Sequence, residues 1–238
     1  MVRAMISQDS LKRVVAAKAV EYVRDGMKLG LGTGTTAEAF VDALAPKVRD
    51  GLKVTCVPTS ERTAAKARAL GIPLGELDQL APLDLVIDGA DEADRDLVLI
   101  KGGGGALLRE KIVACAAKQM LVIVDATKLV DRLGRFPLPI EVVEYGQETT
   151  MRRIADVVAR LGYSGIPIVQ RMRNGAAFKT DGGNVIYDCH FGAIADAPKL
   201  ANALGEIVGV VEHGLFVGIA TQILIARESG VDVIERPA

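Results

Sequence analysis

Residues 27–36 read MKLGLGTGTT, an apolar strand pattern that runs directly into a glycine-rich turn. The next segment, TAEAFVDALAPKV at 36–48, has the spacing of a helix that ends near Pro46. A strand, a glycine turn and a helix in this order open a βαβ unit, the building block of a parallel sheet covered by helices. This stretch therefore predicts an α/β fold.

The same alternation of strands and helices continues on both sides of that stretch. Apolar residues at helical spacing predict a helix over 10–24, capped by Asp9 or Ser10. The strands are almost entirely apolar, as expected where helices cover both faces of a sheet. We therefore predict a doubly wound, mostly parallel, Rossmann-like sheet, with further strands at 52–60, 84–91, 97–101 and 119–128 and helices at 60–71 and 106–117.

The pattern changes after FPLPIEVV at 136–143, where two prolines mark a boundary. A helix, a strand, an Asn174-Gly175 turn, a second strand and a second helix follow. This order is typical of a small α+β sandwich. We predict a Rossmann-like catalytic domain formed by 1–133 and 208–238, and a second, smaller α+β (ferredoxin-like) domain over 134–207.

Composition excludes several classes of protein. Of the 238 residues, 50% are hydrophobic and the net charge is −1, which excludes a disordered chain. The lack of a basic surplus and of tryptophan, with only 4% aromatic residues, disfavours a nucleic-acid partner. The longest weakly polar stretch, residues 214–226, is shorter than the roughly 20 residues of a membrane span, so no membrane partner is expected.

The spacing of the cysteines and the pattern of the N-terminal residues indicate the cellular compartment of the protein. Cys56, Cys115 and Cys189 are widely spaced and form no CxxC motif, so neither a disulfide framework nor a zinc site is expected. The first fifteen residues contain no sustained apolar core and do not have the pattern of a signal peptide. These features predict a cytoplasmic protein.

Glycine and threonine alternate in the turn after the first strand, at residues 30–37. Glycines let backbone N–H groups approach an anion, and the start of the next helix adds a positive partial charge. Gly32-x-Gly34-x-x-Ala37 also satisfies a relaxed dinucleotide fingerprint, but no acid ends the second strand to hold a ribose hydroxyl. A phosphate monoester suits the turn better, and a purely structural turn is the alternative. The candidate ligands are Thr33, Gly34, Thr35 and Thr36.

Two further clusters follow apolar strands. Asp88-Gly89-Ala90-Asp91 places two acids three positions apart, which either form a turn or converge on one substrate. Lys101 precedes four consecutive glycines, an entropically costly run that suggests close approach of the backbone to a ligand. The run is not a nucleotide P-loop, because the lysine precedes the glycines. These glycines are Gly102, Gly103, Gly104 and Gly105.

Glu110 lies on an otherwise apolar stripe of the next predicted helix. Such a carboxylate is either one half of a buried ion pair or a group that transfers protons. Lys128, at the end of the strand pattern at 119–128, is either a surface cation or a phosphate ligand. No HExxH or carboxylate-rich pattern occurs, so no metal site is expected.

Seven segments, taken together, carry a resemblance to a known family: GLGTGTTAEAF, TSERT, DLVIDGADE, IKGGGGALLREK, VDATK, FPLPIEV and TDGGNVIYD. Their order and spacing over essentially the whole chain resemble the type A family of ribose-5-phosphate isomerases. The resemblance implies interconversion of D-ribose 5-phosphate and D-ribulose 5-phosphate through an enediolate, in the pentose phosphate pathway. It also implies that no metal or organic cofactor is needed and that the chain forms a homo-oligomer, either a dimer or a tetramer.

The same resemblance implies roles for the candidate residues. Glu110 corresponds to the general base, which takes a proton from carbon 2 and returns it to carbon 1. Asp88 would assist ring opening, whereas Lys101, a protonated Asp91 and loop amides would stabilise the oxyanion. Lys128 corresponds to a substrate-binding lysine. The implied substrate-binding set further contains Thr33, Gly34, Thr35, Thr36, Gly89, Ala90, Gly102, Gly103 and Gly104. The chain departs from the family at two positions, with Gly105 where alanine is frequent and Thr35 where serine is common.

Other functions stay open at this stage. An aminosugar-phosphate isomerase/deaminase or a CoA transferase would share the broad fold, but the Asp-Gly-Ala-Asp and Lys-Gly spacing disfavours both. A non-enzymatic sugar-phosphate sensor would be expected to carry a DNA-binding domain, and none is expected before Leu11 or after Val233. An NAD-binding protein is disfavoured by the missing acid after the second strand.

Overall fold

The computed structural model describes residues 7–236, and the stretch tested for a signal peptide begins in residues 1–6, outside the described residues. The helices are Gln8–Val20 (α1), Thr35–Arg49 (α2), Glu61–Ala69 (α3), Leu77–Leu80 (α4), Leu107–Cys115 (α5), Gln147–Arg160 (α6) and Ala197–Gly205 (α7). The strands are Lys28–Leu31 (β1), Thr55–Pro58 (β2), Leu85–Asp88 (β3), Glu92–Ala93 (β4), Leu99–Ile100 (β5), Met120–Asp125 (β6), Leu138–Val142 (β7), Ile168–Gln170 (β8), Met172–Arg173 (β9), Ala176–Ala177 (β10), Val185–Cys189 (β11), Val210–His213 (β12), Leu215–Phe216 (β13), Gln222–Arg227 (β14) and Gly230–Glu235 (β15).

Contacts divide the chain into two compact units. The first consists of the chain up to Ala90, Glu110–Leu129 and the chain from Ile219 onward, and the second consists of Asp91–Arg109 and Val130–Gly218. Residues 91–109, 130–133 and 208–218, which we predicted in the larger domain, cluster with the second unit. The limits 134–207 for the smaller α+β domain stay a prediction.

The first unit is built on a six-stranded sheet in the order β15-β14-β6-β3-β1-β2. Neighbouring strands from β14 to β2 pair in parallel, whereas β15 forms an antiparallel hairpin with β14. All residues of β3 and β6 are buried, as expected for strands that are covered on both faces. The predicted α/β fold with a mainly parallel sheet is confirmed.

Alternate residues of β1 show how helices cover this sheet. Leu29 and Leu31 lie in one buried apolar cluster with residues of α1 and α2. Gly30 faces the other way, where a Cβ on it would stand 2.8 Å from Cγ1 of Val113 on α5. Because the side chains of a strand alternate between faces, α5 lies on the face opposite to α1 and α2. Glycine at position 30 therefore lets α5 pack close to the strand.

The second unit contains a four-stranded antiparallel sheet in the order β12-β7-β11-β8. Together with α6 and α7, these strands follow one another along the chain as β-α-β-β-α-β, the arrangement of ferredoxin-like domains. Its apolar core includes Ile140, Ile154 and Leu200. Asn174 and Gly175, both with positive φ, form the turn between β9 and β10.

Contrary to our expectation from the sequence, the strand predicted at 97–101 does not belong to the mainly parallel sheet. Only Leu99–Ile100 of this stretch form a strand, β5, which pairs antiparallel with β4 and β13 in a separate three-stranded sheet. A parallel pair needs a crossover connection of a dozen or more residues, usually a helix, and no helix lies between β3 and β5 in the described residues. Residues 210–213 and 215–216 form β12 and β13, which also pair antiparallel, β12 with β7 and β13 with β5. Within residues 7–236, none of the helices is long and apolar enough to cross a membrane.

Candidate active site

The first unit presents the loop after β1, residues 32–34, directly before α2. Gly34 occupies the N-cap position of α2 with φ +103, and no side chain caps this helix. Thr35 and Thr36 are the first two residues of α2. The first amide groups of a helix have no partner within the helix, so this end can donate hydrogen bonds to an anion.

Asp88 ends β3 and is fully buried, at 0% exposure. Its Oδ1 atom accepts hydrogen bonds from the backbone N–H of Thr33 at 3.1 Å and of Gly89 at 2.7 Å. A Cβ on Gly32 would stand only 2.1 Å from the same oxygen, so only glycine fits there. Two backbone donors and the close approach of Gly32 fix this carboxylate against the loop.

A chain of hydroxyl groups supports the loop from the other side. The Thr33 hydroxyl lies 2.7 Å from the Thr59 hydroxyl and donates to Oγ of Ser60 at 2.8 Å. Ser60 donates to Oγ1 of Thr63 at 3.0 Å, and Thr63 donates to the carbonyl oxygen of Gly32 at 3.0 Å. Because hydrogen bonds in such chains polarise one another, the four hydroxyls form one unit that holds the loop.

These hydrogen bonds leave Thr33 without a donor for a bound anion. Its hydroxyl proton points to Ser60 and its backbone N–H to Asp88, so both donors are used inside the protein. Thr36 lies near the acidic loop, since its Cβ is 3.8 Å from the position that a Cβ on Gly89 would take. The donors left for a bound anion are those of Gly34, Thr35 and Thr36.

Glu110 and Lys128 complete the candidates of the first unit. Glu110 lies in the first turn of α5 and is buried, at 3% exposure. Lys128 is partly buried at the end of a short 3₁₀ helix, residues 126–128, after β6. Asp125 caps this turn by accepting from the backbone N–H of Thr127 at 2.9 Å. The turn therefore holds Lys128 at the carboxyl end of a sheet strand, where ligands of α/β proteins usually bind.

Lys101 is the main candidate of the second unit. Its side chain is buried, at 2% exposure, and its Nζ atom lies 5.5 Å from the centre of the Phe216 ring. Its backbone N–H donates to the carbonyl oxygen of Gly214 at 2.9 Å, which ties the residue to the strand region 214–216. Away from solvent, interactions between this side chain and nearby charge are strong.

The glycine loop, residues 102–105, follows Lys101 in the same unit. Gly102 and Gly105 have φ of +102 and +86, in the region that favours glycine. Oδ2 of Asp91 accepts from the N–H of Gly103 at 2.7 Å, and a Cβ on Gly103 would stand 2.6 Å from Oδ1 of Asp91. The loop therefore needs glycine both for its conformation and for the close approach of Asp91, while Gly103 and Gly104 stay exposed.

Direct contacts thus join the predicted residues in two sets, one in each unit. The N–H groups of Thr33 and Gly89 both donate to Asp88 in the first unit, and the N–H of Gly103 donates to Asp91 in the second. The boundary between the units falls within the acidic loop, after Ala90. Sequence reasoning did not identify the hydroxyls of Thr59, Ser60 and Thr63 as a group that supports the loop, nor Phe216 beside Lys101. The TSERT segment, residues 59–63, carries these three hydroxyl groups within five positions, and this clustering was the signal that could have identified them.

Comparisons with known sequences and structures point to one protein family. The family model described as ribose 5-phosphate isomerase A (phosphoriboisomerase A) matches residues 55–230. A ribose-5-phosphate isomerase A from Nitrobacter hamburgensis is 58% identical over 228 residues, which cover 96% of this chain and 98% of that protein. The structure of ribose 5-phosphate isomerase from Plasmodium falciparum is 39% identical, with a TM-score of 0.92 and coverage of 97% of this chain and 100% of that one. A D-ribose-5-phosphate isomerase in complex with phospho-erythronic acid is 34% identical, with a TM-score of 0.91 and coverage of 97% and 100%.

Proposed function

This chain belongs to the ribose 5-phosphate isomerase A family, and we propose that Glu110 is the general base of its reaction. The chain is an aldose-ketose isomerase that interconverts D-ribose 5-phosphate and D-ribulose 5-phosphate. The observation that carries our proposal for Glu110 is its burial, at 3% exposure, in the first turn of α5. A carboxylate shielded from water can exchange a proton with substrate carbon without losing it to solvent.

The proposed reaction moves one proton from carbon 2 to carbon 1 of the sugar. Glu110 takes the proton from carbon 2 of the open-chain aldose, and the electron pair of that C–H bond forms the double bond of an enediolate. Return of the proton to carbon 1, together with transfer of the O2 hydroxyl proton to O1, gives the ketose. Negative charge builds up on an oxygen during this step, so donors fixed in advance lower its barrier. We assign that role to Lys101, a protonated Asp91 and amides of the glycine loop.

Ring opening and phosphate binding complete the proposal. Asp88 is held by two backbone N–H groups, so its carboxylate can assist proton transfer during ring opening without changing position. The uncapped start of α2, with Gly34, Thr35 and Thr36, and the cation of Lys128 would bind the phosphate. Thr33 would act by fixing this loop, because its donors are used within the protein. The substrate-binding set further includes Gly89, Ala90, Gly102, Gly103 and Gly104.

Replacing Glu110 by glutamine tests the base directly. The substitution keeps the size of the side chain but removes its ability to accept a proton, so kcat for ketose formation should fall by about 10²- to 10⁴-fold while KM stays within a fewfold. Glu148→Gln is the matched control, because Glu148 also lies in the first turn of a helix, α6, but is exposed. Turnover near that of the unchanged enzyme in Glu110→Gln would remove Glu110 as the base.

Three further features are proposed from the family resemblance. The reaction needs neither a metal nor an organic cofactor, so ketose formation should persist in EDTA. The enzyme works in the cytoplasm.

The enzyme forms a homo-oligomer, a dimer or tetramer. Exposed apolar side chains in the second unit, Val143, Tyr145 and Val208, support association. Light scattering coupled to size-exclusion chromatography would measure the mass of the assembly.

A further inference from the structure

Arg171 binds the glycine loop from within the second unit. Its Nη1 atom donates to the carbonyl oxygens of Gly102 at 2.8 Å and Gly103 at 3.2 Å. Arg171 lies between β8 and β9, far from the loop in sequence, and belongs to none of the motifs quoted above. One guanidinium group thus restrains two consecutive peptides of the loop that we assign to oxyanion stabilisation.

Asp188 on β11 determines where this guanidinium points. Its two carboxylate oxygens accept from Nε of Arg171 at 2.9 Å and from Nη2 at 2.5 Å. Both side chains are mostly buried, with 15% and 20% exposure. A guanidinium is a rigid planar fork, so binding the carboxylate through one edge directs Nη1 toward the loop.

The loop is held from a second direction by Asp91. Asp91 accepts from the N–H of Gly103, while Arg171 donates to the carbonyl oxygens on both sides of that N–H group. Four consecutive glycines have large conformational freedom, so contacts of this kind are needed to keep one conformation. Donation to the Gly103 carbonyl also polarises the peptide that carries the N–H of Gly104, which makes it a stronger donor.

We propose that Arg171, oriented by Asp188, is a positioning residue that holds and polarises the glycine loop for stabilisation of the oxyanion. This inference rests on the role proposed for the loop in the isomerase reaction. Arg171 acts through the loop peptides, so its loss should affect the transition state more than the binding of the phosphate group.

Arg171→Ala and Arg171→Lys test the proposal, with Arg173→Ala as the matched control. The Arg173 guanidinium lies 4.4 Å from the Phe178 ring and that of Arg171 lies 5.9 Å from it. Within residues 7–236, however, Arg173 makes no hydrogen bond to the glycine loop. Both Arg171 variants should lose about 10- to 100-fold in kcat with a small change in KM, because the lysine ammonium cannot bridge Asp188 and two carbonyls in this geometry. Arg173→Ala should keep kcat within about twofold.

Two binding probes separate a positioning role from general damage to the fold. Affinity for phospho-erythronic acid, whose carboxylate carries charge near the reacting carbons, should fall in the Arg171 variants, whereas competition by inorganic phosphate should not change. Added guanidinium should restore part of the kcat of Arg171→Ala, and if that variant does not fold, Arg171→Lys decides by the same two probes. A kcat within twofold of the unchanged enzyme, or equal weakening of both probes, overturns the proposal. Failure of the proposed base would appear separately, as full turnover in Glu110→Gln.

Discussion

Gly32 and Asp88 lie so close together that a Cβ on Gly32 would stand 2.1 Å from Oδ1 of Asp88 and 2.6 Å from its Cα. The second distance involves backbone, so the side chain cannot solve the clash by rotating. The loop after β1 and the acidic end of β3 are therefore fitted to each other, and a change at either affects both.

Gly32→Ala should displace Asp88 and the Thr33 amide that binds it. Shifts of about 1 Å in a catalytic group can cost on the order of 100-fold in rate, so we expect a loss of that size in kcat/KM. Gly26→Ala is the control, because a Cβ there would meet nothing within 4 Å and only its positive φ is strained. Steady-state assays of both variants, with thermal unfolding as a check on folding, would show whether the effect is confined to position 32.

Asp88→Asn should separate ring opening from proton transfer. The amide keeps the size of the carboxyl but cannot accept a proton, so the variant should be slow on cyclic ribose 5-phosphate. The reverse reaction starts from D-ribulose 5-phosphate, which has no 5-hydroxyl free to close a furanose ring. Its enolisation should be much less affected, as followed by exchange of solvent deuterium into the substrate. Equal losses in both measurements would contradict a role for Asp88 in ring opening.

Thr63→Val should break the chain of hydroxyl groups that holds the loop after β1, residues 32–34. Valine keeps the shape of the side chain but removes the hydrogen bond to the Gly32 carbonyl, which would leave a buried acceptor without its donor at a cost of about 1–3 kcal/mol. We expect a severalfold rise in KM and weaker competition by inorganic phosphate. Thr149→Val, at an exposed position of α6, should change neither quantity.

The α/β fold could be predicted because it is encoded in local patterns. The apolar run and glycine turn at 27–36 identify a strand, a loop and a helix without any knowledge of distant residues. Helix ends are less well encoded: α1 begins at Gln8 with Ser7 as its cap, where the sequence predicted 10–24 capped by Asp9 or Ser10. Several neighbouring residues can cap a helix, and the sequence does not show which one accepts the N–H.

Contacts that depend on strand register could not be predicted. Arg171 binds Asp188 because β8 and β11 pair antiparallel with Val169 opposite Asp188, and no local pattern specifies that pairing. The orientation of the Thr33 hydroxyl was equally hidden, since its partners come from the segment after β2. The sequence therefore predicts the groups that we propose to bind the substrate phosphate, but the structure is needed to identify the groups that hold them.

The three cysteines should differ in reactivity. Burial raises the pKa of the Cys56 thiol to about 12, and burial together with the Asp188 carboxylate raises the pKa of Cys189 to about 12, whereas Cys115 is exposed. The thiolate is the reactive form, so at pH 8 the two buried thiols should react at a negligible rate and one equivalent of a disulfide reagent should be consumed. Unfolding should release all three, and Cys115→Ser should abolish the fast reaction. Two fast thiols in the folded protein would contradict this assignment.

Gly105→Ala tests the packing of the glycine loop on Phe178. A Cβ at position 105 would stand 2.4 Å from two carbons of the Phe178 ring, and the φ of +86 is itself unfavourable for alanine by about 1–2 kcal/mol. Alanine at this position should therefore lower the free energy of unfolding in this chain and reduce kcat through the loop. Phe178→Ala removes the clash but not the backbone strain. The loss in free energy of unfolding of the double variant should be smaller than the sum of the two single losses by about 0.5–3 kcal/mol. If the two losses simply add, the ring does not restrict position 105.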